Sequence, residues 1–174
     1  QGTCSFSERE KEVYRIAVKE FDKIRRKYFA ACGNARKDSM FRILQQLLLL
    51  LKICADPSLA YEYDSNEIPT KVKKAIRLLQ MWKYEKVAIG VRRIEVADSY
   101  YRYLKQAFPE RQIFYITGDK VPCKQRQRIV EKLRKTENGI LLSTQQSLSE
   151  SMNIDDVDKI ILPELHYNHA AMEQ

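Results

Sequence analysis

The sequence contains no glycine-rich phosphate-binding loop. Only 5 of its 174 residues are glycine, and neither GxxxxGK(S/T) nor GxGxxG occurs anywhere in it. Such loops surround nucleotide phosphates with backbone N–H groups. Their absence excludes a complete nucleotide site of either kind. The Gly-x-Ser-x-Gly elbow of serine hydrolases is missing as well.

Metal-binding side chains are scarce. Histidine occurs twice, and the 4 cysteines are too far apart in sequence for a CxxC zinc knuckle. The pair Asp155-Asp156 offers two carboxylates, but neighbouring side chains on a turn point apart, so we expect a solvated turn and no metal site. Scattered thiols are typical of a reducing compartment, which favours a cytoplasmic protein.

No hydrophobic run is long enough to cross a membrane. The run from Ile43 to Ile53 is interrupted by two glutamines and a lysine, whereas a spanning helix needs about 20 apolar residues. We therefore expect no membrane partner. The sequence starts at Gln1 without an initiator methionine and stops abruptly at Gln174, so we expect it to be a piece of a longer protein.

Positive charge is in excess. The formal net charge is +8 and the pI is about 9.3. An excess of this size favours a polyanionic partner, with nucleic acid as the leading candidate. The alternative is a basic surface that is merely solvated.

Three helices are predicted in the first half of the chain. Their ranges run from Ser7 to Gly33, from Asp38 or Ser39 to Cys54, and from Pro69 to Trp82. The first opens with a capping-box pattern and closes where glycine permits a left-handed cap. The centre of the second is apolar on all sides, so this helix should be buried on most sides or dock onto a neighbouring domain.

Strands and helices alternate in the second half. The predicted strands are Lys86–Val91, Gln112–Thr117, Ile140–Ser143 and Lys159–Leu162, and the helices between them are Arg93–Phe108 and Pro122–Thr136. Strands joined by helices of this length form a parallel sheet through right-handed crossovers. The predicted fold is therefore α/β, with a leading helical segment at residues 1–83 and a parallel core at residues 84–174.

Two of the predicted strands end in polar residues. Thr117-Gly118-Asp119 follows one strand, and Ser143-Thr144-Gln145 ends another. Because the carboxyl ends of parallel strands meet at one edge, where open α/β sheets bind ligands, we expect these groups to converge. Hydroxyl, amide and backbone N–H groups are suited to holding a phosphate backbone. An ordinary polar loop from Ser143 to Ser149 is the alternative.

Several stretches, in this order, resemble the second RecA-like lobe of superfamily-two helicases of the Swi/Snf type. They are LLKICADP (50–57), KVAI (86–89), ITG (116–118) with RQRIVEKL (126–133), LLST (141–144) with ESMNI (150–154), and YNHA (167–170) with Gln174. They are similar to the family's LRKICNHP, KVLIF, ITG…RQEIIDKF, LLST…EGLNL and WNP…Q. The resemblance spans most of the chain and implies a three-layer RecA-like domain.

The resemblance also implies roles for matching residues. The DNA backbone would be contacted by Thr117, Gly118, Ser143, Thr144 and Gln145. The nucleotide side would include Glu150, Ser151, Asn153 and Gln174. ATP and Mg²⁺ would bind between this lobe and a first lobe that the sequence lacks, so we expect neither on this chain alone. The arginines of motif VI would follow Gln174. No catalytic residue is expected here, and the isolated chain should not hydrolyse ATP.

Four departures and two alternatives accompany this hypothesis. Ser151 stands where the family has glycine, His169 replaces the usual proline, and Leu165 replaces the proline of the family's DP pair. The polar segment is also a residue longer than in the commonest Swi/Snf form. The first alternative is a RecA-like nucleic-acid-binding or scaffold module without motor activity. The second is a small Rossmann-like transferase or phosphatase, which would need a complete active site within these residues, and the sequence shows none.

Overall fold

The computed structural model describes residues 4–60, 63, 67–118, 121–151 and 154–164. The chain divides into two compact units, Gln1–Thr70 and Lys71–Gln174. The boundary that the sequence predicts between residues 83 and 84 remains a prediction. None of the helices in the described ranges is both long and apolar enough to cross a membrane.

The first unit contains a hairpin of two long helices. Helix α1 (Glu8–Ala30) opens with the predicted capping box: the Ser7 hydroxyl accepts from the N–H of Glu10 at 3.2 Å, and the Glu10 carboxylate accepts from the N–H of Ser7 at 2.6 Å. Although Glu10 is buried, its carboxylate also accepts hydrogen bonds from the N–H and hydroxyl of Thr70. The core of the unit comprises Val13, Ala17, Ile53, Ala60 and Tyr63.

Helix α2 (Gly33–Ala55) differs from its prediction in two ways. It begins five residues before Asp38, at Gly33, which has the positive φ of 59° expected for a left-handed glycine. It is also not buried on most sides, and the other predicted alternative, docking onto a neighbouring domain, remains a prediction. Five apolar side chains along its length are 41–71% exposed, and they are Met40, Phe41, Leu44, Leu47 and Leu48.

The second unit is a parallel sheet with helices between its strands. Its elements are α3 (Thr70–Met81), which starts at the last residue of the first unit, then β1 (Val87–Val91), α4 (Ile94–Ala107), β2 (Ile113–Ile116), α5 (Cys123–Arg134), β3 (Ile140–Thr144), α6 (Gln145–Ser151) and β4 (Lys159–Ile161). The strand order is β2-β3-β1-β4, and every pairing is parallel. The predicted strands lie within a residue of those observed, and the α/β fold class is confirmed.

Helices cover both faces of the sheet, which gives three layers. On one face, Val130 and Leu133 of α5 pack against Ala88, Ile116 and Leu141. On the other face lies α4. There Tyr101 stacks on Tyr115 of β2 with ring centres 5.1 Å apart, and the Tyr115 hydroxyl donates to Asp98 at 2.7 Å.

One arginine joins three segments at the amino edge of the sheet. The guanidinium of Arg111, 8% exposed as a residue, donates to the carbonyl oxygens of Leu79, Glu85 and Asn138, each at 2.9 Å. Burial lowers the pKa of this guanidinium, but an arginine stays charged in proteins. The three segments precede or flank β1 and β3, so Arg111 fixes where these strands begin.

Close packing beside the same edge requires a glycine. A Cβ on Gly139 would lie 2.7 Å from Leu133 Cδ1 and 3.0 Å from Phe114 Cε2. Both neighbours pack in the α5 face of the core, so a larger residue here would displace buried side chains.

Candidate nucleic-acid interface

A cleft opens at the carboxyl edge of the parallel sheet. Its volume is about 220 Å³, and it is lined by Arg92, Ile94, Gly118, Arg126, Thr144, Gln146, Ser147 and Glu150. These residues come from the last residue of β3 and from the segments that follow β1, β2 and β3. The predicted convergence of the strand ends is therefore present, and three of the residues predicted from the sequence lie in the cleft: Gly118, Thr144 and Glu150.

The polar stretch after β3 is a helix, so the alternative of an ordinary loop is wrong. The Thr144 hydroxyl accepts from the N–H of Ser147 at 3.3 Å and bonds to the Ser147 hydroxyl at 2.9 Å. This is the hydrogen bond of a helix N-cap, and α6 begins at the next residue, Gln145. Both hydroxyls thus have fixed partners, and both residues line the cleft.

Two predicted DNA-contacting hydroxyls are buried. Thr117 and Ser143 are 0% and 1% exposed. The Ser143 hydroxyl donates to the carbonyl of Thr144 at 3.1 Å. The Thr117 hydroxyl has no hydrogen-bond partner among the described residues. Neither residue lines the cleft, although each directly precedes one that does.

The side chain of Gln145 forms hydrogen bonds with backbone carbonyls in β1 and after β4. Its amide nitrogen donates to the carbonyl of Glu164 at 2.7 Å and to that of Gly90 at 3.3 Å. It therefore ties the start of α6 to the ends of β1 and β4, and the structure places it outside the cleft lining. Its predicted DNA contact remains a prediction.

Only one of the four predicted nucleotide-side residues can be placed by its side chain. Glu150 forms an ion pair of 2.9 Å with Arg126 Nη1 and accepts from the amide of Gln146 at 3.1 Å. These two hydrogen bonds, that of Gln146 first, hold the pKa of the Glu150 carboxyl below its usual range. Ser151 is described in its backbone alone, and Asn153 and Gln174 lie outside the described residues.

The basic side chains of the cleft were not predicted as site residues. Arg92 directly follows β1, and Arg126 lies in the first turns of α5. The segment carrying Arg92 is anchored by Glu164, whose carboxylate accepts from the Arg92 N–H at 2.8 Å and from Arg93 Nη1 at 2.9 Å. The sequence signal was an Arg-Arg pair immediately after a buried strand.

The acidic pair is not a solvated turn. Asp155 is exposed, but Asp156 is 7% exposed and its two carboxylate oxygens accept from the guanidinium of Arg134. This ion pair raises the pKa of Arg134. Within the described ranges, no group of His, Cys, Asp and Glu side chains is placed to hold a metal ion.

A comparison with protein families matches residues 70–174 to the helicase conserved C-terminal domain. The chain belongs to this family. A comparison with curated proteins finds no match. The predicted resemblance to a second RecA-like helicase lobe is thereby confirmed.

Solved structures show which helicase C-terminal domains share this fold. The Sulfolobus solfataricus SWI2/SNF2 ATPase C-terminal domain aligns with a TM-score of 0.71 at 16% identity, covering 92% of this chain and 69% of that one. The Sulfolobus solfataricus SWI2/SNF2 ATPase core in complex with dsDNA gives 0.71 at 17%, covering 92% and 33%. The C-terminal part of the Fun30 ATPase domain gives 0.55 at 17%, covering 94% and 54%. This helicase domain thus spans about a third of the Sulfolobus core.

Proposed function

We propose that this helicase C-terminal domain is the second motor lobe of an ATP-dependent DNA translocase or helicase of the Swi/Snf type. In this role it contacts the DNA sugar-phosphate backbone through the cleft at the carboxyl edge. One observation carries the proposed DNA contact: the cleft brings two arginines, Arg92 and Arg126, beside the exposed backbone of Gly118. Guanidinium, hydroxyl and backbone N–H groups are the usual donors to DNA phosphates.

Charge and relatives support the same partner. The net charge of +8 favours a polyanion, and a Sulfolobus protein of this fold was solved in complex with dsDNA. Because phosphate and sugar groups are the same in every base sequence, we propose contacts that do not depend on base sequence.

We further propose that ATP and Mg²⁺ bind between this lobe and a first lobe in the full-length protein. The residues present fit one side of such a site at most, because the sequence has no phosphate-binding loop and the described residues hold no group of metal ligands. When bound, ATP would supply the free energy for lobe movement. This chain alone should neither bind ATP tightly nor hydrolyse it.

Binding of fluorescent DNA, measured by anisotropy over a range of salt concentrations, tests the DNA contact. We expect weak binding that is similar for unrelated duplex sequences and falls steeply with salt, because phosphate contacts release counterions. Arg92→Ala should weaken binding and reduce the salt slope by about one. Arg102→Ala is the matched control, since Arg102 is exposed on α4 and lies outside the cleft.

Two results would overturn the proposal. One is an affinity that ignores salt or is lowered equally by Arg102→Ala and Arg92→Ala. The other concerns the motor: DNA-stimulated ATP hydrolysis by this chain alone would require a complete active site within its own residues. A full-length protein that binds DNA without any ATPase activity would instead support the scaffold alternative.

A further inference from the structure

Arg126 and Glu150 meet across the cleft. The Arg126 side chain is 11% exposed, and the Glu150 side chain is 49% exposed. Arg126 is also held by Val121, whose carbonyl accepts from the Arg126 Nε at 3.1 Å. Its Nη1 donates to Glu150 at 2.9 Å. The Arg126 side chain is therefore largely buried and restrained, whereas the Glu150 side chain is about half exposed.

The guanidinium of Arg126 lies beside Gly118 and Thr144 in the cleft. Its Nη2 is 3.7 Å from the position that a Cβ on Gly118 would occupy, and Gly118 and Thr144 line the same cleft. A carboxylate and a phosphate are both anionic acceptors that pair with a guanidinium in similar geometry. In this structure the carboxylate of Glu150 occupies the place of such an anion.

Glu150 is charged at neutral pH and is held in this position. Its carboxylate accepts from the Gln146 amide, one turn earlier in α6, at 3.1 Å. It also lies near the end of that helix, which closes at Ser151. A neutral residue here would leave Arg126 open to any anion that entered the cleft.

We propose that Arg126 binds one phosphodiester group of DNA and that Glu150 blocks this binding site when DNA is absent. The inference rests on the proposed function and adds to it a residue that opposes binding. DNA exchanges one anion on Arg126 for another, and Glu150 turns into solvent. Glu150 then belongs to the nucleic-acid side of the lobe. An anion binds to Arg126 only if it binds tightly enough to displace the Glu150 carboxylate.

Glu150→Gln and Glu150→Asp, measured by the anisotropy assay, test whether Glu150 blocks the binding site at Arg126. Glu150→Gln removes the competing charge, so we expect the Kd to fall about two- to fivefold, the range of an exposed ion pair. Glu150→Asp keeps the net charge but shortens the side chain, and we expect a smaller fall in the same direction. Glu110→Gln is the control, because it makes the same charge change at the amino end of β2.

Arg126→Gln shows whether the effect passes through the arginine. Arg126→Gln alone should weaken DNA binding, and adding Glu150→Gln to it should not tighten binding again. Thermal unfolding of each variant checks that the lobe is still folded. If Arg126→Gln does not fold, the comparison of Glu150→Asp with wild type decides the question, because this variant keeps the net charge.

The outcomes separate this inference from the proposed function. Glu150 variants that bind DNA no more tightly than Glu110→Gln would contradict the blocking role of Glu150, even when Arg92→Ala still weakens binding. A gain that persists in the Arg126→Gln background overturns it too, because the charge would then act at long range. A wild-type chain that binds no DNA at low salt would contradict both the proposed function and the blocking role of Glu150.

Discussion

Glu164 holds Arg93 through an ion pair of 2.9 Å in which both side chains are largely buried, at 9% and 15% exposed. The second carboxylate oxygen of Glu164 accepts from the backbone N–H of Arg92 at 2.8 Å. The segment after β4 thereby fixes the first turn of α4, and with it the position from which Arg92 enters the cleft.

Glu164→Gln should destabilise the second unit. Glutamine keeps the volume but loses the charge that both donors use, so we expect the free energy of unfolding to fall by about 1–3 kcal/mol. Urea denaturation monitored by circular dichroism measures this change. Glu137→Gln, at an exposed position before β3, is the control, and an equal midpoint for the two variants would refute the anchoring role.

Arg111→Met should be more damaging. It leaves three carbonyl oxygens at the amino edge without their donor, and we expect a loss of about 2–4 kcal/mol in the free energy of unfolding. Arg102→Met, on the exposed face of α4, should change stability by less than about 0.5 kcal/mol. A loss of similar size at both positions would show that the three hydrogen bonds contribute little.

Gly139→Ala should destabilise the lobe by steric overlap. The new methyl group would meet Leu133 and Phe114 inside their van der Waals distance, and overpacking of this kind costs about 1–3 kcal/mol. Gly118→Ala is the matched substitution, because its Cβ would make only an ordinary contact of 3.7 Å. Thermal melts of the two variants compare them directly, and equal melting temperatures would contradict the close packing.

Acid should remove the contribution of Glu150 to stability. The pKa of this carboxyl is lowered in the folded chain by the hydrogen bonds from Gln146 and Arg126. Its contribution is therefore fully present above the unfolded pKa of about 4.3 and is lost as the pH falls through the lower folded value. Wild type should exceed Glu150→Gln in urea midpoint at pH 7, and this difference should shrink towards pH 3. A difference independent of pH would contradict the pairing.

The layered fold could be predicted from sequence because its signals are local. Four short apolar strands separated by amphipathic helices specify a parallel sheet, and a capping box marks the start of α1. The start of α2 was missed because GNARK carries no apolar periodicity. Helix α6 was missed because its residues, QQSLSES, resemble a loop until Thr144 and Ser147 are seen to form its cap.

The site was predicted only in part, since its chemistry depends on distant pairs. Gly118 and Thr144 follow from the strand ends, but the burial of Thr117 and Ser143 is a distinction that composition does not carry. Arginine is common on surfaces, and Arg126 stands out only beside Glu150, 24 residues away in sequence. No local sequence pattern predicts such a pair.

The position of Arg111 has a consequence for how this fold diverges. A single side chain at the amino edge secures three segments that the cleft does not use. Substitutions among the loops at the opposite edge can then alter affinity and regulation while the register of the strands is retained. Such a separation is consistent with a fold that is shared at a TM-score of 0.71 although only 16% of the residues are identical.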